Sequence, residues 1–331
     1  MEYHNSLVCP VCVGHEFSNS REVFDDRYGH PDLFELVSCT RCGHLMTSPM
    51  LKEEDLPHLY GIYYPRKKLS IDSIVNESKK VGLNFSKFRR WWMGVDNQGQ
   101  YSACSGEKML DLGCGSGLSL LEAQELGVEA WGIEADPNVK RISESLNLRI
   151  HQGSLNDEPF KDVAFDLIVL NQVIEHIPEP DKTLEKIKTR LAHNGRVIMV
   201  FPNVNSLWCR ISASRWINWH IPYHLNHFNK NKFTKMAERC GYQIVHSRTI
   251  TPNVWTILQL RAMTQTTVCG QPNPIWSVKD DVPTTKSNMK ILFRRSLVMT
   301  VMFGISVVNR VVDSLGLGDS LVVELRPMDD K

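Results

Sequence analysis

A glycine-rich turn at residues 113–117 is the segment of this chain whose residue types and spacing first indicate ligand binding. Residues 108–112 predict a short buried strand before it, and a helical pattern follows from residue 118 to about residue 126. Glycine has no Cβ, so the backbone N–H groups of such a turn can approach a ligand closely. Strand, turn and helix predict the start of a nucleotide-binding α/β domain. The glycines of the turn are Gly113, Gly115 and Gly117.

The spacing of these glycines indicates which ligand suits the turn. A dinucleotide fingerprint, G-x-G-x-x-G, requires glycine at position 118, where this chain has Leu118. The spacing therefore disfavours a bound pyrophosphate. The alternative that needs no ligand is a plain glycine-rich connection between a strand and a helix.

An acidic side chain follows the next predicted strand, residues 129–133. A carboxylate at the tip of the second strand can accept two hydrogen bonds from the diol of a nucleoside ribose. We therefore predict that Glu134, with Ala135 beside it, holds a ribose. Asp136 fits better as the cap of the helix that starts at Pro137.

Polar residues also follow the fourth predicted strand, residues 165–170. Asn171 stands first among them, and the pair Glu175 and His176 follows. Open α/β sheets bind ligands at the carboxyl ends of their strands, so these side chains are expected at a binding edge. His176 could be a general base there, because an unperturbed histidine has a pKa of about 6.5, or it could be a structural residue beneath the ligand.

Together these motifs resemble those of the class I S-adenosylmethionine (SAM)-dependent methyltransferases over residues 107–327. Asp111 followed by G-x-G-x-G resembles motif I. The stretch after the fourth strand is similar to the corresponding motif of methyltransferases that modify small molecules, including quinone O-methyltransferases. The resemblance implies an α/β fold with a Rossmann-like seven-stranded sheet and helices on both faces. It also implies that SAM lies along the strand ends, and the residues expected to hold it are Asp111, Gly113, Gly115, Gly117, Glu134, Ala135 and Asn171.

Two positions depart from that family's pattern. After the third strand the family usually carries an acid that contacts the adenine, and here Ser154 stands at that position. The Ser154 hydroxyl or the backbone of Leu155 is expected to take over this contact. Gln172 replaces the first acid of the acid-x-x-Glu-His pattern of the quinone O-methyltransferases, so their metal-assisted chemistry is not expected here.

The composition changes between residues 203 and 228, after the fifth predicted strand, where tryptophans and arginines accumulate. Both residue types bind rings and sugars well, so we predict a lid over the active-site edge. Peripheral membrane contact is the alternative. Residues 224–242 resemble the closing helix of small-molecule and glycan-locus methyltransferases with an N-terminal zinc ribbon. That resemblance places His224 near the substrate as the first catalytic candidate, with His227 second, whereas packing at the helix start is the alternative.

Two C-x-x-C pairs near the N-terminus can aim four thiolates at one ion. Four sulfurs are what a closed, tetrahedral structural Zn²⁺ site needs. A redox role is less favoured, since neither pair begins the helix of a βαβ unit. The expected zinc ligands are Cys9, Cys12, Cys39 and Cys42.

Charge and length limit the remaining possibilities. The chain has 331 residues with 38 Lys and Arg against 37 Asp and Glu, a formal net charge of +1, which gives no overall electrostatic case for nucleic acid. The first residues lack the basic and apolar regions of a secretory signal, so we expect a cytoplasmic, reducing compartment. The apolar core of the last helix, residues 297–308, is shorter than the roughly 20 residues of a membrane span, so no transmembrane segment is expected. With Arg294, Arg295 and Arg310 at its ends, the helix is expected to dock on the domain, and an interfacial helix is the alternative.

The predicted organisation has a zinc-ribbon-like domain, a partly helical connector and a methyltransferase domain. Residues 321–325 are expected to form a last, antiparallel strand at the sheet edge. The predicted boundaries are 1–50 for the first domain, 51–104 for the connector and 105–327 for the last domain, with a lid at 203–228, a flexible insertion at 264–287 and a helix at 290–315.

The sequence therefore predicts a SAM-dependent methyltransferase that moves a methyl group to O, N or C of a polar small molecule, such as a sugar or glycan precursor. One alternative is an RNA methyltransferase that grips RNA with the zinc ribbon and the basic-aromatic residues 87–92. Another is a non-catalytic protein that binds SAM or a partner. A catalytic base, His224 or His176, is needed only if the acceptor must lose a proton.

Overall fold

The computed structural model describes residues 3–4, 7–52, 56–63, 70–84, 86–276 and 288–328, which form three sheets and the helices around them. The described strands are β1 (Tyr3–His4), β2 (Phe17–Phe24), β3 (Leu33–Cys39), β4 (Leu45–Ser48), β5 (Met50–Leu51), β6 (Lys108–Leu112), β7 (Glu129–Glu134), β8 (Ile150–Gln152), β9 (Phe165–Asn171), β10 (Leu191–Pro202), β11 (Asn226–His227), β12 (Tyr242–Ile250) and β13 (Ser320–Pro327). The described α-helices are α1 (Leu56–Ile62), α2 (Ile71–Asn84), α3 (Lys87–Met93), α4 (Leu118–Glu125), α5 (Val139–Leu146), α6 (Pro180–Lys188), α7 (Leu207–Ser212), α8 (Lys230–Arg239), α9 (Asn253–Met263) and α10 (Asn288–Ser314).

Seven strands form the largest sheet, in the order β12-β13-β10-β9-β6-β7-β8. The strands from β10 to β8 pair in parallel, and β13 runs antiparallel to both β10 and β12. The predicted fold class, a Rossmann-like seven-stranded sheet, is confirmed. The last strand is antiparallel as expected, but the prediction that it lies at the edge is wrong. It inserts between β10 and β12, so its backbone groups pair on both sides, whereas an edge strand leaves one side unpaired.

The central strands carry apolar residues on both faces because helices cover both faces of the sheet. Leu167 and Val169 of β9 pack into one hydrophobic cluster, whereas Ile168 and Leu170 pack into a second. Successive side chains of a strand point to opposite faces, so the two clusters are the cores above and below the sheet. Because these strands run parallel, their carboxyl ends lie along one edge of the sheet.

The N-terminal part forms a smaller antiparallel sheet in the order β11-β4-β3-β2. Its strand β11 comes from residues 203–228, far along the chain. The backbone of β11 pairs with β4, Asn226 opposite Met46 and His227 opposite Leu45. The N-terminal sheet is therefore completed by a segment that follows the fifth strand of the large sheet.

The connector between the sheets is partly helical, and α3 shows how its helices are bounded. The Ser86 hydroxyl caps α3 by accepting a hydrogen bond from the Arg89 N–H at 3.2 Å, and Gly94 ends the helix in the left-handed conformation. Of the segment expected at 264–287, residues 277–287 lie outside the described residues. Among the helices that the structure describes, none has both the length and the apolar content that crossing a membrane requires.

Residues 203–228 are attached to the large sheet through Asp319, which directly precedes β13. Its Oδ1 accepts hydrogen bonds from the Ser206 hydroxyl at 2.6 Å and from Trp216 Nε1 at 2.8 Å, and its Oδ2 accepts one from Asn218 Nδ2 at 3.2 Å. The carboxyl is buried, and burial raises its pKa to about 6. Hydrogen bonds to a buried charged group are among the stronger ones in proteins.

Replacing Asp319 should therefore destabilise the protein more than replacing an exposed acid. For Asp319→Ala we expect the free energy of unfolding in urea to fall by about 2–4 kcal/mol, because three buried donors lose their acceptor. Asp162→Ala, at an exposed position, is the matched control and should change it by about 0.5 kcal/mol or less. Equal stability of the two variants would contradict this role for Asp319.

Candidate active site at the carboxyl edge of the large sheet

A cavity of about 910 Å³ opens at the carboxyl ends of β6, β7 and β9. Drug-sized ligands occupy cavities of roughly 300–1,000 Å³, so a nucleoside and a second small molecule fit here together. One end of the cavity is lined by residues of the predicted cofactor site. The other end is lined by three histidines, His176, His220 and His224. The predicted site residues that line it are Gly113, Glu134, Ala135, Ser154, Leu155, Asn171, His176 and His224.

The glycine turn has backbone conformations that favour glycine. Gly113, Gly115 and Gly117 have φ values of 73°, 57° and 73°. A Cβ on Gly113 would lie 2.5 Å from the side chain of Val173, so the close approach of the two loops also requires glycine. Gly117 directly precedes α4. Gly115 and Gly117 shape the turn but do not line the cavity.

Asp111 lies buried at the end of β6 beneath the turn. Its Oδ2 accepts a hydrogen bond from the Ser119 hydroxyl, whereas its Oδ1 has no hydrogen-bond partner among the described residues. Burial raises the pKa of this carboxyl to about 7. A buried acceptor without a partner is costly, so Oδ1 marks a place for a donor that a ligand could supply.

Glu134, at the end of β7, lies directly against the glycine turn. Its Oε2 accepts a hydrogen bond from the Gly115 N–H at 2.6 Å, and its Oε1 accepts one from the Asp136 N–H at 3.0 Å. The structure therefore brings together the two sequence motifs expected to hold one nucleoside. Asp136 accepts from the backbone and side-chain amides of Asn138, as a residue at a helix start would.

Ser154 caps the start of a short helical turn, Leu155–Asp157, after β8. Its hydroxyl accepts a hydrogen bond from the Asn156 N–H at 3.1 Å, and its own N–H donates to Asp157 Oδ2 at 2.8 Å. Asp157 also lies 2.9 Å from a ring nitrogen of His151. Ser154 and Leu155 both line the cavity, together with Asn156 and Asp157.

Residues of the connector hold the Asn171 side chain by hydrogen bonds. The sequence did not indicate this contact. The Gly99 N–H donates to Asn171 Oδ1 at 2.8 Å, and Asn171 Nδ2 donates to Gln100 Oε1 at 3.0 Å. Gln100 in turn donates to the buried carboxylate of Glu122 on α4 at 2.7 Å. This chain of amides fixes one wall of the cavity. Only the tertiary structure shows it, because residues 99–100 carry no motif.

Two histidines meet at the other end of the cavity. The ring centroids of His176 and His224 lie 4.6 Å apart. His224 Nδ1 lies 2.8 Å from the carbonyl oxygen of Asn218, and His176 Nδ1 lies 2.9 Å from that of Tyr223. A carbonyl only accepts, so each Nδ1 carries the proton and the lone pair of each neutral ring is on Nε2. Burial lowers the pKa of His224 well below its ordinary value, which keeps the ring neutral.

Glu175 lies next to His224, with 3.9 Å between Glu175 Oε1 and His224 Nε2. Glu175 is fully buried, and neither carboxylate oxygen has a hydrogen-bond partner among the described residues. Burial raises the pKa of this carboxyl to about 8. The potential ligand atoms of Glu175, His176 and His224 lie within 4.8 Å of one another. The cluster can therefore exchange a proton with a bound molecule, and its donor set is also one that a divalent ion can use.

The N-terminal sheet positions His224. The Thr47 hydroxyl of β4 donates to the carbonyl oxygen of His224 at 2.7 Å, and the Leu225 N–H donates to the carbonyl oxygen of Glu175 at 2.7 Å. His227, the second catalytic candidate, does not line the cavity. Its Nε2 lies 3.0 Å from the Thr47 hydroxyl, and burial lowers its pKa to about 3. It belongs to β11 of the N-terminal sheet, where its ring centroid lies 5.2 Å from that of Trp219.

Sequence reasoning missed several residues that line the cavity near the histidines. His220 has its ring centroid 4.9 Å from that of His224. Arg27, from the N-terminal sheet, places its guanidinium 4.0 Å from the ring centroid of Trp276 and donates to the carbonyl of Ile217. Lys52 and Trp255 complete this end. The histidine-rich composition of residues 220–227 was a signal for His220, but nothing in the sequence connects Arg27 with this site.

Most of the tryptophan-rich segment is interior rather than exposed. Trp216 and Trp219 are buried against the N-terminal sheet, with ring centroids 5.1 Å apart. Ile217, Asn218, His220 and His224 of the same segment face the cavity. The segment therefore fills the space between the two sheets and forms one wall of the site.

The four cysteines of the N-terminal knuckles converge. Cys9 and Cys42 have their Sγ atoms 3.5 Å apart, as do Cys12 and Cys39, and all four sulfurs lie within 4.8 Å of one another. Zn–S bonds of about 2.3 Å in a tetrahedron separate the sulfurs by similar distances. The donor set and its spacing fit a closed zinc site.

Residues 86–247 match a family model described as a methyltransferase domain. Among curated proteins, the chain is similar to a chloroplastic tocopherol O-methyltransferase of Arabidopsis thaliana, with 26% identity over 164 residues that cover 47% of this chain and 44% of the relative. It is also similar to an ajmaline N-methyltransferase of Rauvolfia serpentina, with 29% identity over 106 residues that cover 29% of this chain and 36% of the relative. The chain thus spans less than half the length of these relatives.

A solved structure described as a SAM-dependent methyltransferase from Archaeoglobus fulgidus is similar over 77% of this chain and 94% of that chain. The sequence identity is 14% and the TM-score is 0.42.

Proposed function

We propose that this chain transfers the methyl group of SAM to a polar small molecule. The proposal starts from residues 86–247, which are a methyltransferase domain of the class I SAM-dependent type. The observation that carries the proposal is one continuous cavity, with Gly113 and Glu134 at one end and His176 and His224 at the other. A donor held at the first end would present its methyl group toward the second.

The residues present fit SAM. Among the described residues, Asp111 Oδ1 is a buried acceptor that lacks a donor, and a carboxylate there suits the positively charged α-ammonium group of SAM. Glu134 lies where the ribose diol is expected, against the glycine turn. Ser154 and Leu155 line the place expected for the adenine, and Asn171, held by Gln100 and Gly99, lies between the two ends. We propose these residues as the cofactor site.

SAM supplies a methyl group already activated by its sulfonium charge, so the protein needs mainly to orient the acceptor. His224 is suited to take a proton from an acceptor hydroxyl or amine. Its Nδ1 proton is fixed on Asn218, which leaves Nε2 to accept. Above about pH 8, where the neighbouring Glu175 is charged, its carboxylate can stabilise the imidazolium that forms, because opposite charges at this distance attract strongly in a buried site. His176 packs against His224 and limits its orientation.

We further propose a sugar or another ring-bearing polar molecule as the acceptor. Trp255 and Trp276 line the acceptor end, and aromatic faces bind the apolar face of a ring. Arg27, Lys52 and Asn218 supply donors at the same end, which suits an acceptor with hydroxyl or anionic groups. The two curated relatives are named as methyltransferases of tocopherol and of ajmaline, and both of these substrates are small molecules, which supports a small-molecule acceptor.

The four cysteines are proposed to hold a structural Zn²⁺. A structural zinc replaces the core that a short segment cannot build and fixes the positions of its knuckles. Cys9 and Cys39 pack into the same hydrophobic cluster as Phe228 and Phe233 of the large domain. Arg239 of α8 donates to the carbonyl oxygen of Pro10 at 2.6 Å. The ion would therefore support the contact between the N-terminal sheet and α8.

The affinity for SAM should rise between about pH 6 and pH 8. The raised pKa of Asp111 leaves the carboxyl protonated and neutral below about pH 7 and charged above it, and only the charged form attracts a cation. Asp111→Asn should bind SAM about tenfold more weakly at pH 8 and lose this dependence on pH. Titration calorimetry measures both effects. Asp162→Asn is the exposed control, and near-ultraviolet circular dichroism verifies folding. An Asp111→Asn variant with wild-type affinity at both pH values would contradict the assignment.

His224→Asn should lower kcat by about 100-fold and leave the Kd for SAM unchanged, because a general base contributes to the chemical step and not to cofactor binding. The assay follows transfer of labelled methyl from SAM to a panel of sugar nucleotides, free sugars and phenols. His227→Asn is the matched control, since His227 does not line the cavity, and should keep kcat within about threefold. Equal losses in both variants would contradict a base role for His224. A rate that collapses when divalent ions are removed would instead assign Glu175, His176 and His224 to an ion.

The purified chain should contain about one zinc ion, measured by atomic emission. Cys42→Ser should lose the metal and lower the melting temperature by several degrees, since a three-ligand site holds zinc weakly. Cys104→Ser, at an exposed cysteine away from the cluster, should change neither quantity. Wild-type protein that lacks zinc and is as stable as Cys42→Ser would contradict the site.

A further inference from the structure

The C-terminal helix α10 has its polar side chains facing the protein. Within the part of α10 whose side chains the structure describes, from residue 299 onward, Ser306, Asn309 and Arg310 are buried, and Asp313 is nearly so. A helix on the surface of a water-soluble protein normally has the reverse arrangement, with its apolar stripe toward the core. The inward polar residues need partners, because buried polar groups without hydrogen bonds are costly.

Those partners come mainly from α9 and from the end of β12. Asn253 Nδ2 donates to the Ser306 hydroxyl at 2.7 Å, and Asn309 Nδ2 donates to Asn253 Oδ1 at 3.0 Å. Arg310 donates to Asp313 at 3.0 Å through Nε and to the carbonyl of Thr251 at 2.6 Å through Nη2. The helix is thus docked by a hydrogen-bonded polar network and leaves its apolar side outward.

The outward side is apolar along its described length. Between residues 299 and 315 no exposed residue carries a charge. At 1.5 Å per residue this face extends for about 25 Å. Met299 is 72% exposed, Phe303 60% and Leu315 69%. The exposed apolar residues of this face are Met299, Val301, Phe303, Val307, Val308, Val311 and Leu315.

Helix α3 extends this face with aromatic rings. Trp92 of α3 lies against Phe303 of α10, with 5.4 Å between ring centroids, and Phe88 stacks on Trp92 at 6.2 Å. Phe88 is 68% exposed, and Trp91 beside it is also exposed. Arg310 donates to the carbonyl oxygen of Trp91, which fixes α3 against α10. The aromatic rings and the apolar side of α10 form one surface, which we call the α3–α10 face.

The exposed charged side chains that the structure describes on helices α3, α9 and α10 are all cations. Helices α3, α9 and α10 contain a single carboxylate between them, Asp313, which is nearly buried and lies 2.8 Å from Arg310. Lys87 and Arg89 of α3 and Arg261 of α9 are exposed cations. Apolar residues, tryptophan and flanking cations are the features by which interfacial helices bind lipid surfaces.

We infer that the α3–α10 face binds the surface of a bilayer that contains anionic lipids. Its apolar residues would enter the boundary between headgroups and acyl chains, and Lys87, Arg89 and Arg261 would lie at the phosphates, which attract basic residues. A second copy of this chain is the competing occupant. Two such faces packed on each other would place like charges together without carboxylates to neutralise them, so the lipid surface fits the charge better.

The position of this face relative to the cavity agrees with the inference. Helix α9 contributes Trp255 and Leu258 to the cavity lining and exposes Val254 and Leu260 to solvent. One helix thus connects the acceptor end of the cavity with the outer surface. The inference itself does not depend on methyl transfer.

Binding of the full chain to vesicles tests the inference. The protein should sediment with vesicles of phosphatidylcholine containing phosphatidylserine, and bind at least tenfold less to vesicles of phosphatidylcholine alone, because the cations favour anionic headgroups. The double variant Val307→Gln and Val311→Gln should lower binding about tenfold, because two apolar contacts are lost at exposed positions. Val245→Gln, at an exposed valine of β12, is the matched control and should bind like the wild type.

Unchanged affinity for SAM by calorimetry verifies that the Val307 and Val311 variant is folded, and a failure of vesicle binding alone would leave the proposed methyl transfer intact. Lys87→Gln with Arg89→Gln should weaken binding to anionic vesicles only. The inference would be overturned if wild-type protein bound neither type of vesicle. It would equally be overturned if all variants bound alike, or if the wild type were a dimer in sedimentation equilibrium that Val307→Gln and Val311→Gln dissociate.

Discussion

The cost of removing polar groups from water is the constraint on which this structure depends. Asp319 and Arg310 are buried and fully engaged, and each holds a segment of chain in place. Asp111 and Glu175 are buried with oxygens that lack hydrogen-bond partners among the described residues, and each directly precedes a residue that lines the cavity, Leu112 and His176. Satisfied groups of this kind hold a fold together, whereas unsatisfied ones mark places where a ligand or a proton is handled.

The same constraint explains why the two sheets cannot be understood separately. Strand β11 follows the fifth strand of the large sheet in sequence but forms an edge strand of the N-terminal sheet, where its backbone groups pair with those of β4. That pairing positions the carbonyl of His224 on the Thr47 hydroxyl and buries His227 against the same hydroxyl. The N-terminal part also sends Arg27 and Lys52 to the cavity wall. The cysteine cluster therefore supports a portion of the chain that shapes the acceptor end of the site.

Helix α10 shows that burial of polar groups also has consequences for the outer surface. Its inward polar residues are satisfied by Asn253, Thr256 and Thr251, and its apolar residues consequently remain outside. A binding face for a lipid surface and a closed polar network are thus two sides of one helix. The cofactor edge and the α3–α10 face are connected by α9, which contributes to both.

The sequence by itself determined the parts of this protein that depend on local order. The glycine turn after β6, the acid after β7 and the apolar strands predicted the seven-stranded sheet and its cofactor edge, because consecutive residues specify strand, turn and helix. The two cysteine pairs also predicted a zinc site from the sequence, since C-x-x-C spacing sets the geometry of each knuckle.

Only the tertiary structure decided which distant residues meet. It separated His224, which lines the cavity, from His227, which belongs to β11, and it placed Glu175 against His224 across 49 positions of chain. It brought Gln100 to Asn171 and Arg27 to the cavity, inserted β13 inside the sheet, and turned the polar side of α10 inward. None of these contacts follows from a periodic pattern, because each depends on two segments packing together and on which buried groups find a partner there.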